Sequence, residues 1–207
     1  VAELVIGLML SMAREIPRAD REIRNGNWIK KELMGTELKG KYLGIVGLGN
    51  IGKRLGRLAK ALNMNIIGYD VIPIDDEFSK EVGLMKADLD TLLSSADYVS
   101  FHVPLLDSTH HMINAEKLKM MKNTARIINT ARGGVIDEDA LYNSLKEGSI
   151  AGAALDVFEV EPATGNKLTT LPNFIATPHM GAQTKEAQLL AANIIAEKII
   201  QILRGVL

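Results

Sequence analysis

"KYLGIVGLGNIG", residues 41–52, decides the fold. A short apolar run ends at Val46, and glycines follow at positions 47, 49 and 52. The spacing is G-x-G-x-x-G, which carries meaning only between a strand and a helix. Here it has both. The next stretch, "IGKRLGRLAKALN" (51–63), puts Ile51, Leu55, Leu58 and Leu62 on one helical face. In such a turn Gly47 permits the tight reversal and Gly49 lets the backbone approach a pyrophosphate. Gly52 lets helix and strand pack closely. The helix N-terminus offers N–H groups and a partial positive charge to phosphates.

Working outward, "NIIGYD" (65–70) is the next strand, and Asp70 closes it 21 residues after Gly49. A carboxylate there accepts from the adenosine ribose hydroxyls and repels a 2′-phosphate. Val71, Ile72 and Pro73 bring no Arg or Lys to hold that phosphate. The pair of features points to NAD rather than NADP.

The same rhythm continues down the chain. Helical patterns at "LDTLLSSA", "AEKLKMMKN" and "DEDALYNSLKEGS" alternate with strands at "DYVSFHVP", "ARIINTA", "AGAALDVF" and "NFIATP". "TKEAQLLAANIIAEKIIQILRG" is a long closing helix. Strands alternating with helices predict an α/β fold, a doubly wound, mostly parallel sheet of the Rossmann type. Trp28 to Lys39 reads as irregular.

Three stretches set the reaction class. "INTARGGVIDEDAL" places Arg132 just beyond a strand, at the edge where open α/β sheets bind ligands. "ALDVFEVEP" puts Asp156 at the next strand end and Glu161 in the loop after it. "ATPHMGAQTKEA" puts His179 between the last strand and the closing helix. The trio suits oxidation of a 2-hydroxy acid. Imidazole takes the hydroxyl proton as hydride leaves carbon for nicotinamide. A carboxylate fixes its tautomer and favours its protonated form. A guanidinium grips the substrate carboxylate by a forked pair of bonds. The expected roles are His179 as acid/base, Glu161 as its partner and Arg132 as substrate clamp. His102, in "FHVP", lies at another strand end and is placed at the cofactor pocket. His110 and His111 read as loop residues. Metal-ligand spacing is absent, so no catalytic metal is expected.

Composition bounds the rest. The chain has 207 residues, 47% hydrophobic and 24% charged, with a formal net charge of −1 and no Cys. No basic block suggests nucleic acid, and the cysteine count fits a reducing, cytoplasmic setting. The opening "VAELVIGLMLSMARE" stops being apolar at Arg14, short of the ~20 residues that span a bilayer. Its apolar positions recur at helical spacing around a wide stripe. Pro17 is expected to break this helix, with a second one from about Pro17 to Asn25-Gly26. The stripe predicts an internal helix and self-association through Val1 to Met12.

"GIVGLGNIG", "NTARGGVIDEDAL", "AGAALDVFEVEP" and "TPHMGAQT", in that order, resemble the signatures of the D-isomer-specific 2-hydroxyacid dehydrogenases. The resemblance covers essentially the whole chain. It implies catalysis by Arg132, Glu161 and His179. It also implies NAD contacts from Asn50, Ile51, Asp70, Val103, Thr130, Ala131, Gly181 and Ala182, with Asp156 on the nicotinamide carboxamide. "MGTELKGK", "YD" and "HVPLLDSTHHMIN" look like the branch that oxidises 3-phosphoglycerate to 3-phosphohydroxypyruvate in serine synthesis. Glyoxylate, hydroxypyruvate or D-lactate chemistry is the alternative, and a non-catalytic NAD(H)-sensing protein is another. By the same resemblance residues 1–207 are the NAD-binding domain. Residues 1–25 would be interdomain or dimer helices of a homodimer, and the substrate-binding domain would lie outside the chain.

Overall fold

The computed structural model describes residues 1–203. Helices α1 (Ala2–Arg14) and α2 (Ile16–Arg24) precede β1 (Tyr42–Val46), α3 (Asn50–Ala61) and β2 (Asn65–Tyr69). Then come α4 (Asp76–Val82), β3 (Leu84–Lys86), α5 (Leu89–Ser95), β4 (Tyr98–Phe101), α6 (Ala115–Met120) and β5 (Arg126–Asn129). The chain continues through α7 (Glu138–Glu147), β6 (Gly152–Leu155), a 3₁₀ turn (Lys167–Thr170), β7 (Phe174–Ala176) and α8 (Lys185–Leu203). α4, β3 and the 3₁₀ turn have no counterpart in the sequence reading. They are short, at seven, three and four residues.

The seven strands form one sheet in the order β3-β2-β1-β4-β5-β6-β7. Every pairing is parallel. The winding reverses between β1 and β4, and this opens a crevice at the carboxyl ends of the strands. β4 and β6 are buried at every position, because helices cover both faces of the sheet. One core layer packs Leu92, Leu93, Leu118, Leu141 and Leu145 from α5, α6 and α7. The other packs Val5, Leu8 and Met9 of α1 with Leu55, Ala59 and Phe78 of α3 and α4.

That second layer shows where one face of α1 packs. Ala2, Val5, Leu8, Met9, Met12 and Ala13 are all buried against the chain's own α3, β5 and β6. This side of the wide stripe is filled from within, while Val1, Leu4 and Ile6 are half-buried and Leu10 is exposed. The break after α1 also falls earlier than Pro17. Glu15 adopts a left-handed conformation (φ 51°), and Pro17 sits in the first turn of α2. Proline has no N–H for the Ala13 carbonyl four residues back. The Thr36 N–H donates to that carbonyl instead, at 2.9 Å. Residues 25–41 carry no helix or strand, in keeping with their irregular sequence. α8 buries none of its residues. No helix among the described residues is long and apolar enough to cross a membrane.

Candidate active site

The glycines divide by what surrounds them. Gly47 has φ +92°, and a Cβ there would sit 2.7 Å from the His102 carbonyl oxygen. A Cβ on Gly52 would overlap the Gly47 carbonyl oxygen. The fold itself therefore demands both. Gly49 has nothing within 4 Å of its would-be Cβ. No packing asks for glycine there, and the open approach fits a pyrophosphate. Gly49 also begins α3 without a side-chain cap, and no acidic residue stands in the first turn. The helices α4 to α7 are each capped by a side chain: Asp75, Asp88, Asn114 or Asp137. The N-terminus of α3, at Asn50 and Ile51, is thus left without a side-chain acceptor, unlike those of α4 to α7, as an anion site requires.

Asp70 lies across this loop. The Leu48 N–H donates to its Oδ2 at 2.6 Å and the Ile72 N–H to its Oδ1 at 3.0 Å. A carboxylate has about four lone-pair sites, so capacity remains for ribose hydroxyls. The groove beside it is lined by Val71, Ile72, Pro73 and Lys86. Lys86 is a cation the sequence order hid, but its Nζ donates to Asp76 Oδ1 at 2.7 Å and to the Ile74 carbonyl oxygen at 3.2 Å.

At the other end of the crevice, one cavity of about 410 Å³ gathers Ile51, Val103, Thr130, Ala131, Arg132, Asp156, His179, Gly181 and Ala182. These residues come from the ends of four strands and the start of α3, and only the topology joins them. Val1, His102, Pro104 and Gln183 complete the lining. Thr130 Oγ1 and His102 Nδ1 are buried with no partner among the described residues. His102 Nε2 lies 3.0 Å from Ser100 Oγ. Burial pushes its imidazole down to about 4, so His102 is neutral at pH 7 and unsuited to exchange protons there.

His179 and Glu161 meet. His179 Nδ1 and Glu161 Oε2 are 2.8 Å apart. An ionised carboxylate only accepts, so Nδ1 carries the proton and Nε2 is left for other work. The imidazole holds the Glu161 carboxyl below its ordinary range. Glu161 Oε1 accepts from the Phe158 N–H at 3.1 Å. A second cavity, about 580 Å³ and lined by Phe158, Pro162, Ala163, Pro178 and His179, opens on the other side of the pair. Arg132 is exposed, with Nη1 donating to the Ala131 carbonyl at 2.6 Å. Among the described residues it is the one Lys or Arg lining either cavity.

Asp156 is fully buried. Its Oδ1 accepts from Thr177 Oγ1 at 2.6 Å and from the Met180 N–H at 2.8 Å, and its Oδ2 accepts from the Gly181 N–H at 2.8 Å. These bonds bracket His179, which is held at φ 52°. A non-glycine residue keeps that conformation only where its surroundings impose it. Asp156 therefore also anchors the histidine loop, a role beyond the one the resemblance implied.

The match with known proteins follows this geometry. The family model "D-isomer specific 2-hydroxyacid dehydrogenase, NAD binding domain" matches residues 6–181. The chain is 51% identical to a D-3-phosphoglycerate dehydrogenase of Methanocaldococcus jannaschii, over 99% of this chain and 39% of that protein. It is 48% identical to a hydroxypyruvate reductase of Thermotoga maritima, over 96% of this chain and 65% of that one. Among solved structures it superposes on the Aquifex aeolicus D-lactate dehydrogenase complexed with NAD and lactic acid. The TM-score is 0.90 and the identity 32%, over 99% of this chain and 66% of that chain. The chain thus spans about two fifths of the phosphoglycerate dehydrogenase it matches. With glycine turn, ribose acid and strand-end cavity in the arrangement its sequence required, the chain belongs to the D-isomer specific 2-hydroxyacid dehydrogenases, as their NAD-binding domain.

Proposed function

We propose that this domain serves the NAD-dependent oxidation of a D-2-hydroxy acid, with His179 as acid/base, Glu161 as its partner and Arg132 as the substrate clamp. The observation that carries this reading is the 2.8 Å His179–Glu161 bond at the rim of a cavity that also holds Arg132. Glu161 keeps the proton on Nδ1, so Nε2 is the base for the substrate hydroxyl. Arg132 offers the remaining face of its guanidinium to the substrate carboxylate. NAD, when bound, accepts the hydride. Gly47, Gly49, Gly52, Asn50 and Ile51 would cradle its pyrophosphate and Asp70 its ribose. Val103, Thr130, Ala131, Asp156, Gly181 and Ala182 would line its nicotinamide end.

Within that class we favour 3-phosphoglycerate, the substrate of the serine-synthesis branch, on the strength of the similarity to phosphoglycerate dehydrogenases. The hydroxypyruvate and glyoxylate reductases keep smaller substrates as the second reading. A phosphate-bearing substrate needs a cation beyond Arg132, and neither cavity supplies one among the described residues. We keep a cytoplasmic homodimer through the N-terminal helices, residues 1–25, in the reading; Leu10, Ile16 and Ile23 are exposed there.

The test is an assay of 3-phosphoglycerate, glycerate, glycolate and D-lactate with NAD, using the enzyme that contains this domain. His179→Ala is expected to lower turnover by about 10²–10⁴-fold and to leave NAD affinity unchanged. NADH binding without oxidation of any 2-hydroxy acid would favour an NAD(H) sensor instead.

A further inference from the structure

Outside the His179–Glu161 pair, the densest polar cluster beside the site is built on two glutamates. Glu138 is the first residue of α7, and Glu159 lies in the loop after β6. Each accepts from the other's backbone. The Glu159 N–H donates to Glu138 Oε1 at 2.7 Å, and the Glu138 N–H donates to Glu159 Oε1 at 3.1 Å. Asn166 Nδ2 donates to Glu138 Oε2 at 2.6 Å, and His111 Nε2 lies 3.0 Å from Glu159 Oε1. Three loops are thereby tied together: the His111 segment, the Arg132 loop that leads into α7, and the Glu161 loop. Their backbones also touch, since a Cβ on Gly133 would overlap the Phe158 carbonyl oxygen. The neighbouring Phe158 N–H is the group that donates to Glu161 Oε1.

We propose that Glu138 and Glu159, with His111, form a reciprocal clamp that positions Glu161 for its bond to His179 and holds the Arg132 loop in register with it. They are positioning residues: in the described structure neither lines the cavity. The inference rests on the proposed roles of Arg132, Glu161 and His179. Two carboxylates this close would repel if they faced one another. Here each instead meets a backbone N–H of the other residue, an arrangement with the logic of a capping box across two loops. Misplacing a reacting group by about 1 Å costs about 10²-fold in rate, so such a clamp has catalytic consequences without touching substrate.

The test reads the Glu161 carboxyl by ¹³C NMR in this chain, against melting temperature, for four variants. His179→Ala is expected to raise the Glu161 titration toward the ordinary carboxylate range. Glu159→Ala is expected to raise it in the same direction. Glu159→Gln keeps an acceptor oxygen and is expected to hold it at the wild-type position. Asn166→Ala removes one bond to Glu138 and is expected to give a smaller rise, which keeps the test decisive where Glu159→Ala does not fold. In the active enzyme, Glu159→Ala is expected to lower kcat about 10- to 100-fold with KM for NAD unchanged. A lowered melting temperature in Glu159→Ala or Asn166→Ala with Glu161 titrating as in wild type overturns the clamp as a positioning device. If His179→Ala also leaves Glu161 unmoved, the His179–Glu161 reading fails with it.

Discussion

His102 and His179 line the same cavity and differ in what their ring nitrogens meet. His179 has Glu161 on Nδ1. His102 has Ser100 Oγ on Nε2, nothing on Nδ1, and a buried ring that brings it down to about 4. A depressed imidazole has a linkage consequence. Above about pH 6.5 folded and unfolded chains are both neutral at this position. As pH falls below that, the unfolded chain takes the proton first and stability is lost, until the folded ring also titrates near 4. The loss amounts to up to about 3 kcal/mol. His102→Gln is expected to flatten the fall in melting temperature between those two pH values; an unchanged slope would show that the loss comes from other groups. At the Gly loop, Asp70→Ala is expected to weaken NAD binding by about tenfold or more and to narrow the preference over NADP. Titrating both cofactors by calorimetry checks it, with Asp70→Asn as the variant that keeps one acceptor. The placement of Asp70 beside the glycine loop was legible because its distance from the glycines is a local property of one βαβ unit. The burial of His102 and the arrival of Lys86 beside Asp70 were not, because strands distant in sequence create them.

Helices α1 and α8 carry similar apolar content and meet opposite fates. Spacing showed that each forms a helix, yet nothing in either segment says what will cover it. α1 packs one side into the core over β5 and β6, so much of its wide stripe is used within the chain. Met9 is fully buried there. Met9→Ala is expected to cost about 2–4 kcal/mol in urea unfolding, without change in oligomeric state. A drop in self-association with little loss of stability would mark Met9 as part of an interface. α8 exposes Leu189, Leu190, Ile194, Ile195, Ile199 and Ile200. A helix with no buried face depends on its own hydrogen bonds, without the tertiary packing that supplies most helical stability in proteins. Its amides are expected to exchange with deuterium far faster than those of α3, whose Leu55 and Ala59 are fully buried. Equal protection of the two helices in the isolated chain would mean that α8 has found a partner.

At the scale of the molecule, the crevice at the strand ends separates two tasks, holding a cofactor and performing chemistry. The residues proposed for the first lie together in this chain. Gly49, the uncapped start of α3, Asp70 and the strand-end cavity lie along one edge of one sheet. Binding here stabilises the folded state by mass action, about 2.7 kcal/mol at a ligand concentration of 100 Kd. For a domain of this size that is about 5–10 °C in melting temperature. The residues proposed for the second are open to solvent: Arg132, Glu161 and His179 are all exposed. Proton and hydride transfer need the reacting groups fixed and water excluded, and no described element covers this rim. The chain also spans 39% of the phosphoglycerate dehydrogenase it resembles. The expected outcome is therefore a split. The 207-residue chain is stabilised by NAD by the amount above, and Asp70→Ala loses most of that gain. Its turnover of 3-phosphoglycerate or glycerate stays at least about 10²-fold below that of a protein joining it to a substrate domain of the family. Calorimetric melting with and without NAD, beside the absorbance of the NADH produced, measures both halves. Full turnover by the chain alone would show that the exposed rim already suffices, and an unmoved melting temperature would remove the cofactor reading on which the rest is built.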